Sequence, residues 1–480
     1  MCRVYTKKNM EVAAPNSVNY SNQLPLGIES KSQRKLFFPA TGDSYSGDGT
    51  NICRIDLSYD GLIDTSQSYL MFDVKNTDGT HGYQLDMGQP LINRLRIECG
   101  GVVLEDIQNY NTLLASILVP AQSGIGNCHM DSMNRSMPSQ VPYYIASFAN
   151  ANTAIRSTAN SGFARIATAD AAADTGVAAP TLVGSNIIGK GASIKQCYKL
   201  VSGLLDNDKY LPMMLLNAPI TLEFTFETAV NSGTGEGVNA PSKLDISGVR
   251  YVAHTIDLER SFYDRLRMVQ QNSGGVLQIA GTSFRNYSAN LLAQNANSIS
   301  IPARLRSIKS IFFRSCAPNT SQVYGLSAGG HANISEYQVK IGGNLYPPTA
   351  IRVNATNNKI EPYLELQKAF GKLGSTIHSD LLSQSSYLFE ETGVASSNKN
   401  VTDGDAADDV GPMATFAPFG LDLESFRHEI ENGVDSSSKA LPITLELKHN
   451  GNAPAQNVQV FIMYDSLFYV NLDGTISVST

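Results

Sequence analysis

Pro219-Ile220-Thr221-Leu222-Glu223 recurs, letter for letter, as Pro442-Ile443-Thr444-Leu445-Glu446. Read onward, the first copy runs Ile220-Thr221-Leu222-Glu223-Phe224-Thr225-Phe226-Glu227 and alternates at every step. Ile220, Leu222, Phe224 and Phe226 share one face and Thr221, Glu223, Thr225 and Glu227 the other, the pattern of a strand with one wet face. The replica, Ile443 to Lys448, keeps the same inward and outward assignment. A five-residue identity arises by accident in roughly one chain of this size in ten, so the order of neighbouring features has to carry the argument. Gly100-Gly101, after Arg94-Leu95-Arg96-Ile97, is echoed by Gly342-Gly343 after Tyr337-Gln338-Val339-Lys340-Ile341. Each glycine pair precedes a segment with helical apolar spacing: Ile107, Tyr110, Leu114 and Ile117 in one, Tyr363, Leu366, Phe370 and Leu373 in the other. A repeat of this length is domain-sized, so two similar domains joined end to end are expected.

Further strands are expected at 51–57, 69–75, 91–97, 102–105, 196–201 and 248–256. The second half offers 276–280, 298–301, 307–314, 337–341, 415–421 and 457–464. That is about eight strands per half with few helices, the count of a β-sandwich. Between the halves, Phe262, Leu266 and Val269 stand at helical spacing before Ser273-Gly274-Gly275, a helix stop. The division is therefore an N-terminal arm, 1–47; a first β-domain, 48–260; a linker helix, 261–274; and a second β-domain, 275–480. A polar, small-residue stretch at about 120–194 and a shorter one at about 374–412 read as long loop insertions, where interaction should concentrate.

The chain of 480 residues has 36 Lys and Arg against 43 Asp and Glu, for a net charge of −7. Coating nucleic acid with the whole surface needs a cationic excess, so any such contact is local. Arg3, Lys7, Lys8, Lys31, Arg34 and Lys35 give the arm a mild basic bias against Glu11, Glu29 and Asp43. The six cysteines, Cys2, Cys53, Cys99, Cys128, Cys197 and Cys316, lack the close pairs of a zinc site and read as reduced, buried thiols. No apolar run reaches membrane-spanning length and the first residues lack a signal-peptide core, so a soluble chain made in the cytosol is expected.

Several motifs invite catalytic readings. Gly184-Ser185-Asn186-Ile187-Ile188-Gly189-Lys190-Gly191 approaches the phosphate-cradling loop, but Gly191 stands where Ser or Thr must bind magnesium. Gly325-Leu326-Ser327-Ala328-Gly329 has the spacing of a hydrolase nucleophile elbow without a helical pattern after it. The seven histidines show no ligand spacing, and Asp206-Asn207-Asp208 lacks the rest of a calcium loop. No catalytic, cofactor-binding or metal-binding residue is nominated, no cofactor is expected, and the chain reads as a non-enzyme.

The chain resembles the double jelly-roll major capsid proteins of Polinton-like viruses and virophages over about residues 48 to 475. The resemblance rests on Tyr69-Leu70-Met71-Phe72-Asp73-Val74-Lys75-Asn76, Ile92-Asn93-Arg94-Leu95-Arg96-Ile97, and Gly101 to Glu105 leading into Asn109-Tyr110-Asn111. In the second half it rests on Ile301 to Phe312, Lys340-Ile341-Gly342-Gly343-Asn344-Leu345-Tyr346-Pro347 and Gly420-Leu421-Asp422-Leu423-Glu424-Ser425-Phe426. It implies an all-β chain of two tandem eight-stranded antiparallel jelly rolls with long loop insertions and a few short helices. It implies three copies in a pseudo-hexagonal capsomer, tiling an icosahedral shell around double-stranded DNA inside the host cell. The implied partners are the chain itself, neighbouring capsomers, and penton and minor capsid proteins. A weak contact of the arm with packaged DNA also follows, with no membrane-spanning segment. The alternative is a two-sandwich adhesin or carbohydrate-binding protein, against which stands the absence of Trp, a favoured sugar platform, although 21 Tyr could substitute.

Overall fold

Alternating segments in the first half fold as β1 (Ser30–Phe37), β2 (Ile52–Leu57), β3 (Leu62–Asn76), β4 (Ile92–Cys99), β5 (Val102–Gln108), β6 (Ser193–Tyr198), β7 (Ile220–Phe226) and β8 (Leu244–Leu258). The second half supplies β9 (Val276–Asn290), β10 (Ala296–Ile301), β11 (Ile308–Cys316), β12 (Ile334–Ile341), β13 (Asn344–Arg352), β14 (Phe419–Asp422), β15 (Ile443–His449), β16 (Asn457–Asn471) and a closing β17 (Ile476–Ser479). These come from a computed structural model that describes residues 29–47, 49–77, 83–122, 133–134, 136–137, 188, 191–228, 232–235, 244–316, 326, 329–354, 356–373, 382, 387–388, 413–414, 416–426, 431–437, 442–454 and 456–480.

In the first half one sheet has the order β1-β8-β3-β6 and the other β2-β7-β4-β5, all antiparallel. The second half gives β9-β16-β11-β14 and β10-β15-β12-β13. Adding eight to every label of the first half generates the second. Two interleaved Greek keys of this order make a jelly roll, so the chain is two tandem jelly rolls. Short strands such as Ser44–Tyr45 and Leu211–Pro212 extend the sheets.

The replicated strands β7 and β15 are central in their sheets, and Leu222 and Leu445 are wholly buried. Phe226 and Tyr198 meet Phe72 edge-on between the sheets of the first roll. In the second roll Phe313 stacks on Phe419 and meets Tyr337 edge-on. Each such ring contributes roughly 1.5–3 kcal/mol by leaving water. The hairpin β4–β5 turns on Gly100 and Gly101, both left-handed (φ 57° and 83°), which only residues without a Cβ adopt freely, and Gly342 (φ 62°) begins the matching turn between β12 and β13.

A helical segment follows each of these hairpins, as the apolar spacing anticipates. The first, α1, is the run Tyr110–Leu113, Leu114–Leu118 and Val119–Gln122, widened in its middle turn. Helix α2 (Arg260–Asn272) joins the rolls and ends at Gly274 and Gly275, both left-handed. The buried Gln270 Nε2 donates to the Val470 carbonyl at 2.9 Å and ties α2 to β16. The second hairpin leads to α3 (Ile360–Ala369). Among the described residues, no helix is long and apolar enough to cross a membrane.

Two strands depart from the sequence reading. Composition places residues 1–47 in an arm outside the first roll, but Ser30–Phe37 is an edge strand paired along its whole length with Leu258–Tyr251 of β8. Its first residues are exposed on both faces, so no apolar alternation marks it. β13 escapes for another reason: Pro347 and Pro348 interrupt it, which an edge position tolerates because the outer backbone needs no partner. Most of the insertions at 120–194 and 374–412 lies outside the described residues.

If β7 and β15 occupy equivalent cores, Leu222→Ala and Leu445→Ala should each lower the unfolding free energy by about 2–5 kcal/mol. Guanidinium melts measure this, and a cost below about 1 kcal/mol at either site would remove that strand from the core.

Candidate functional site

The two rolls meet along β5 and the segment after β6 on one side and β9 on the other. A bulge at Leu104, which skips a partner between the pairs Glu98–Val103 and Ile97–Glu105, leaves both Leu104 and Glu105 buried. Glu105 is 2% exposed. The segment 202–204 closes over its carboxylate: Ser202 Oγ donates to Oε2, the Gly203 N–H to Oε1 at 2.9 Å and the Leu204 N–H to Oε2 at 3.1 Å. Burial raises the carboxyl pKa above its ordinary value even though these donors pull it down.

β9 crosses this loop backbone to backbone. A Cβ on Gly281 would collide with the Gly203 carbonyl, and one on Gly203 would lie 3.1 Å from Thr282 N and O. Around the crossing, first-roll side chains cap carbonyls of the second. Asn207 Nδ2 reaches Ala280 O at 2.6 Å, and Lys209 Nζ reaches Gln278 O at 3.5 Å. Asn109 Nδ2 donates to Asn286 Oδ1 at 2.7 Å, and Asn286 in turn to Val460 O at 3.3 Å. Farther along, the Asn217 N–H donates to Gly474 O at 2.9 Å. Bonds also run from the second roll to the first: Lys372 Nζ reaches Gln122 O at 2.7 Å, and the Leu326 N–H donates to Asp86 Oδ2 at 2.5 Å. Charge crosses the seam as well, since Asp86 of the first roll acts electrostatically on the buried Arg314 of the second. The seam is thus a set of directional bonds to fixed backbone, which sets a geometry instead of permitting sliding.

Sequence names Glu105, Asn109, Asn207 and Leu326 only as parts of a family resemblance or of incomplete motifs, and marks none of them as a contact between the rolls. The sequence reading stops this strand at Ala280, whereas it continues to Asn290 and Gly281 marks a close approach of another backbone. Glu105 carried a readable signal, a carboxylate in an apolar edge strand just past a two-glycine turn.

The motifs set aside by sequence fall elsewhere. Ser327 and Lys190 lie outside the described residues. Asp206 is paired with Lys199 at 2.9 Å. His449 bonds Ala332 O at 2.8 Å and Asn297 Nδ2 at 3.1 Å, and burial lowers its pKa, so it is a neutral core histidine. Among the described residues, no group of three His, Cys, Asp or Glu side chains is placed to hold a metal ion. Cys53, Cys99 and Cys316 are buried free thiols, with Cys53 pushed up to about 11 by burial; Cys197 is half-buried. Cys2 and Cys128 lie outside the described residues. A cavity of about 470 Å³ beside α3 is lined by Lys359, Tyr363, Leu382 and Tyr387 and presents no carboxylate pair.

No protein-family model matches the chain, and no curated protein matches it. Solved structures do. Against VP54 of PBCV-1, fitted into a reconstruction of the virophage Sputnik, the TM-score is 0.54 at 10% identity, over 96% of this chain and 99% of that one. The PBCV-1 virus capsid gives 0.52 at 10% identity over the same shares. The Faustovirus major capsid protein gives 0.53 at 8% identity, over 94% of this chain and 92% of that one. Coverage this complete on both sides means that the likeness takes in both rolls in their order along the chain. At these identities it is a likeness of fold: the double jelly roll.

Two outcomes test the seam. Because the pKa of Glu105 is raised on folding, the native chain holds a proton that the unfolded chain releases between the ordinary and the raised value. Stability contributed there therefore falls as pH rises through the raised pKa. Glu105→Gln should flatten that slope in thermal melts across pH. It should also cost about 1–3 kcal/mol at acid pH, because the new amide nitrogen faces the Leu204 N–H; an unchanged slope would contradict the assignment. Gly281→Val should force the rolls apart and split one melting transition into two, read by calorimetry against the parent.

Proposed function

We propose that this chain is a major capsid protein, the structural subunit of pseudo-hexagonal homotrimeric capsomers that tile an icosahedral shell around a DNA genome. The observation that carries the reading is a strand order repeated with an offset of eight in two rolls held by a directional seam. Closed threefold symmetry applied to such a chain presents six similar rolls around one ring, so a trimer can sit among six neighbours. The capsid proteins of PBCV-1 and Faustovirus, which share the fold, support a shell role over an adhesive one.

On this reading the domains are an arm ending at Glu29, a first roll from β1 to β8, the linker α2, and a second roll from β9 to β17. The chain works by binding copies of itself, and no catalytic step is assigned to it. Its place is the virion shell, assembled in the host cell, with penton and minor capsid proteins as further partners. The arm enters β1 beside the start of α2, where the Glu259 N–H donates to Glu29 O at 3.2 Å, so both lie at one end of the molecule. That end would face the shell interior and, weakly, the packaged DNA.

Purified protein should elute with three times the 51.7 kDa chain mass and show hexagonal outlines in negative stain. A monomer that binds sugar would favour the adhesin instead.

A further inference from the structure

Strand β11 pairs with β16, and one of its residues is left over. Ile308 stands opposite Tyr464 and Ser310 opposite Met463, so Lys309 is the extra residue of a bulge. Its amine meets two carboxylates: Nζ lies 3.0 Å from Glu424 Oε1 and 3.4 Å from Asp465 Oδ1. The side chains of Lys309, Glu424 and Asp465 are 14%, 13% and 5% exposed, so water is largely shut out. Backbone bonds hold the three elements together, since the Leu423 N–H donates to Lys309 O at 2.8 Å and the Asp465 N–H to Ser307 O at 3.1 Å.

The other oxygen of Asp465 faces donors. Ser307 Oγ donates to Oδ2 at 2.7 Å, and the Glu431 N–H donates to it at 2.9 Å. The Gly433 N–H donates to Ser307 Oγ at 3.1 Å and so orients the hydroxyl. A nucleophile, a proton carrier and a pocket for a developing oxyanion thus stand around one carboxyl carbon, the set that acyl transfer to nitrogen requires. Burial alone would lower the Lys309 pKa, but hydrogen bonds and charge from Glu424 and Asp465 raise it. The resting triad is therefore an ion pair, and the amine becomes a nucleophile by giving a proton to Glu424.

We infer that Lys309 and Asp465 join in an isopeptide bond once the second roll has folded, with Glu424 carrying the protons. The Nζ lone pair forms a bond to Asp465 Cγ, and negative charge collects on Oδ2 between Ser307 and Glu431. The bond from Cγ to Oδ1 then breaks. Glu424 moves two protons in turn from Nζ to Oδ1, which leaves as water, while the third stays on the amide nitrogen. One ammonium and one carboxylate are consumed, one amide and one water are formed, and Glu424 ends as it began, so no oxidant or cofactor is needed. Holding the reacting groups in aligned contact gives such a step an effective concentration of roughly 10⁵–10⁸ M. It occurs once per chain, joins the neighbouring inner strands β11 and β16 covalently, and is independent of the capsomer reading.

Intact-mass spectrometry on the full-length protein, unfolded for the measurement, provides the test. The parent should be about 18 Da lighter than its sequence mass, the loss of one water, and a digest should give a branched peptide joining the segments of Lys309 and Asp465. Lys309→Arg keeps the cation but removes the nucleophile, and Glu424→Gln removes the proton carrier; each should show its full sequence mass. Asp465→Asn should react with loss of ammonia instead, about 17 Da. A parent at full sequence mass leaves the triad an ion pair and overturns the inference, as does a lost water whose branched peptide lies elsewhere. A bond that still forms in Glu424→Gln overturns the part assigned to that residue.

Discussion

Two peptide backbones cross at Gly203 and Gly281 with no room for a side chain between them, and the relation of the two rolls follows from that crossing. Contacts through flexible side chains would let the rolls rock. A contact through main chain, framed by donors from Asn207 and Asn109, fixes distance and direction together. Glu105 organises one side of it by gathering the N–H groups of Gly203 and Leu204, which shapes the loop that β9 meets. The cost is a carboxylate removed from water, so proton uptake by that group and closure of the seam favour each other.

A seam of this kind makes duplication useful. Two rolls on a loose tether would offer their edges in many orientations, and no closed ring would be favoured over chains and aggregates. Held rigidly, as the proposed capsomer requires, two rolls in one chain can take neighbouring places in a ring whose remaining places come from rotation of identical molecules. The seam inside the chain is close-packed and capped by hydrogen bonds.

Much of the fold is legible in the residues because burial on one face writes a period of two. The strands β7 and β15, the glycine turns Gly100-Gly101 and Gly342-Gly343, and the helices after them stand where the pattern puts them. The failures have physical causes. The first five residues of β1 are exposed, so Ser30 to Arg34 show no apolar alternation. Pro347 and Pro348 hide β13 because a proline rule written for central strands does not hold at an edge. Gly281 looks like a strand end, since a chain read alone does not reveal the second backbone that needs its missing side chain. The seam escaped as a whole because its bonds join residues far apart in sequence, such as Asn207 with Ala280, through carbonyls that every residue possesses.

The central claim is that the seam fixes two like rolls in the relation that the proposed six-position ring requires. A high-resolution reconstruction of the assembled capsomer measures this directly, as two rotations: first roll to second within a chain, and second roll to the first roll of the next copy. The account predicts that both are roughly 60°, the step of a six-position ring. Two unequal rotations would contradict it.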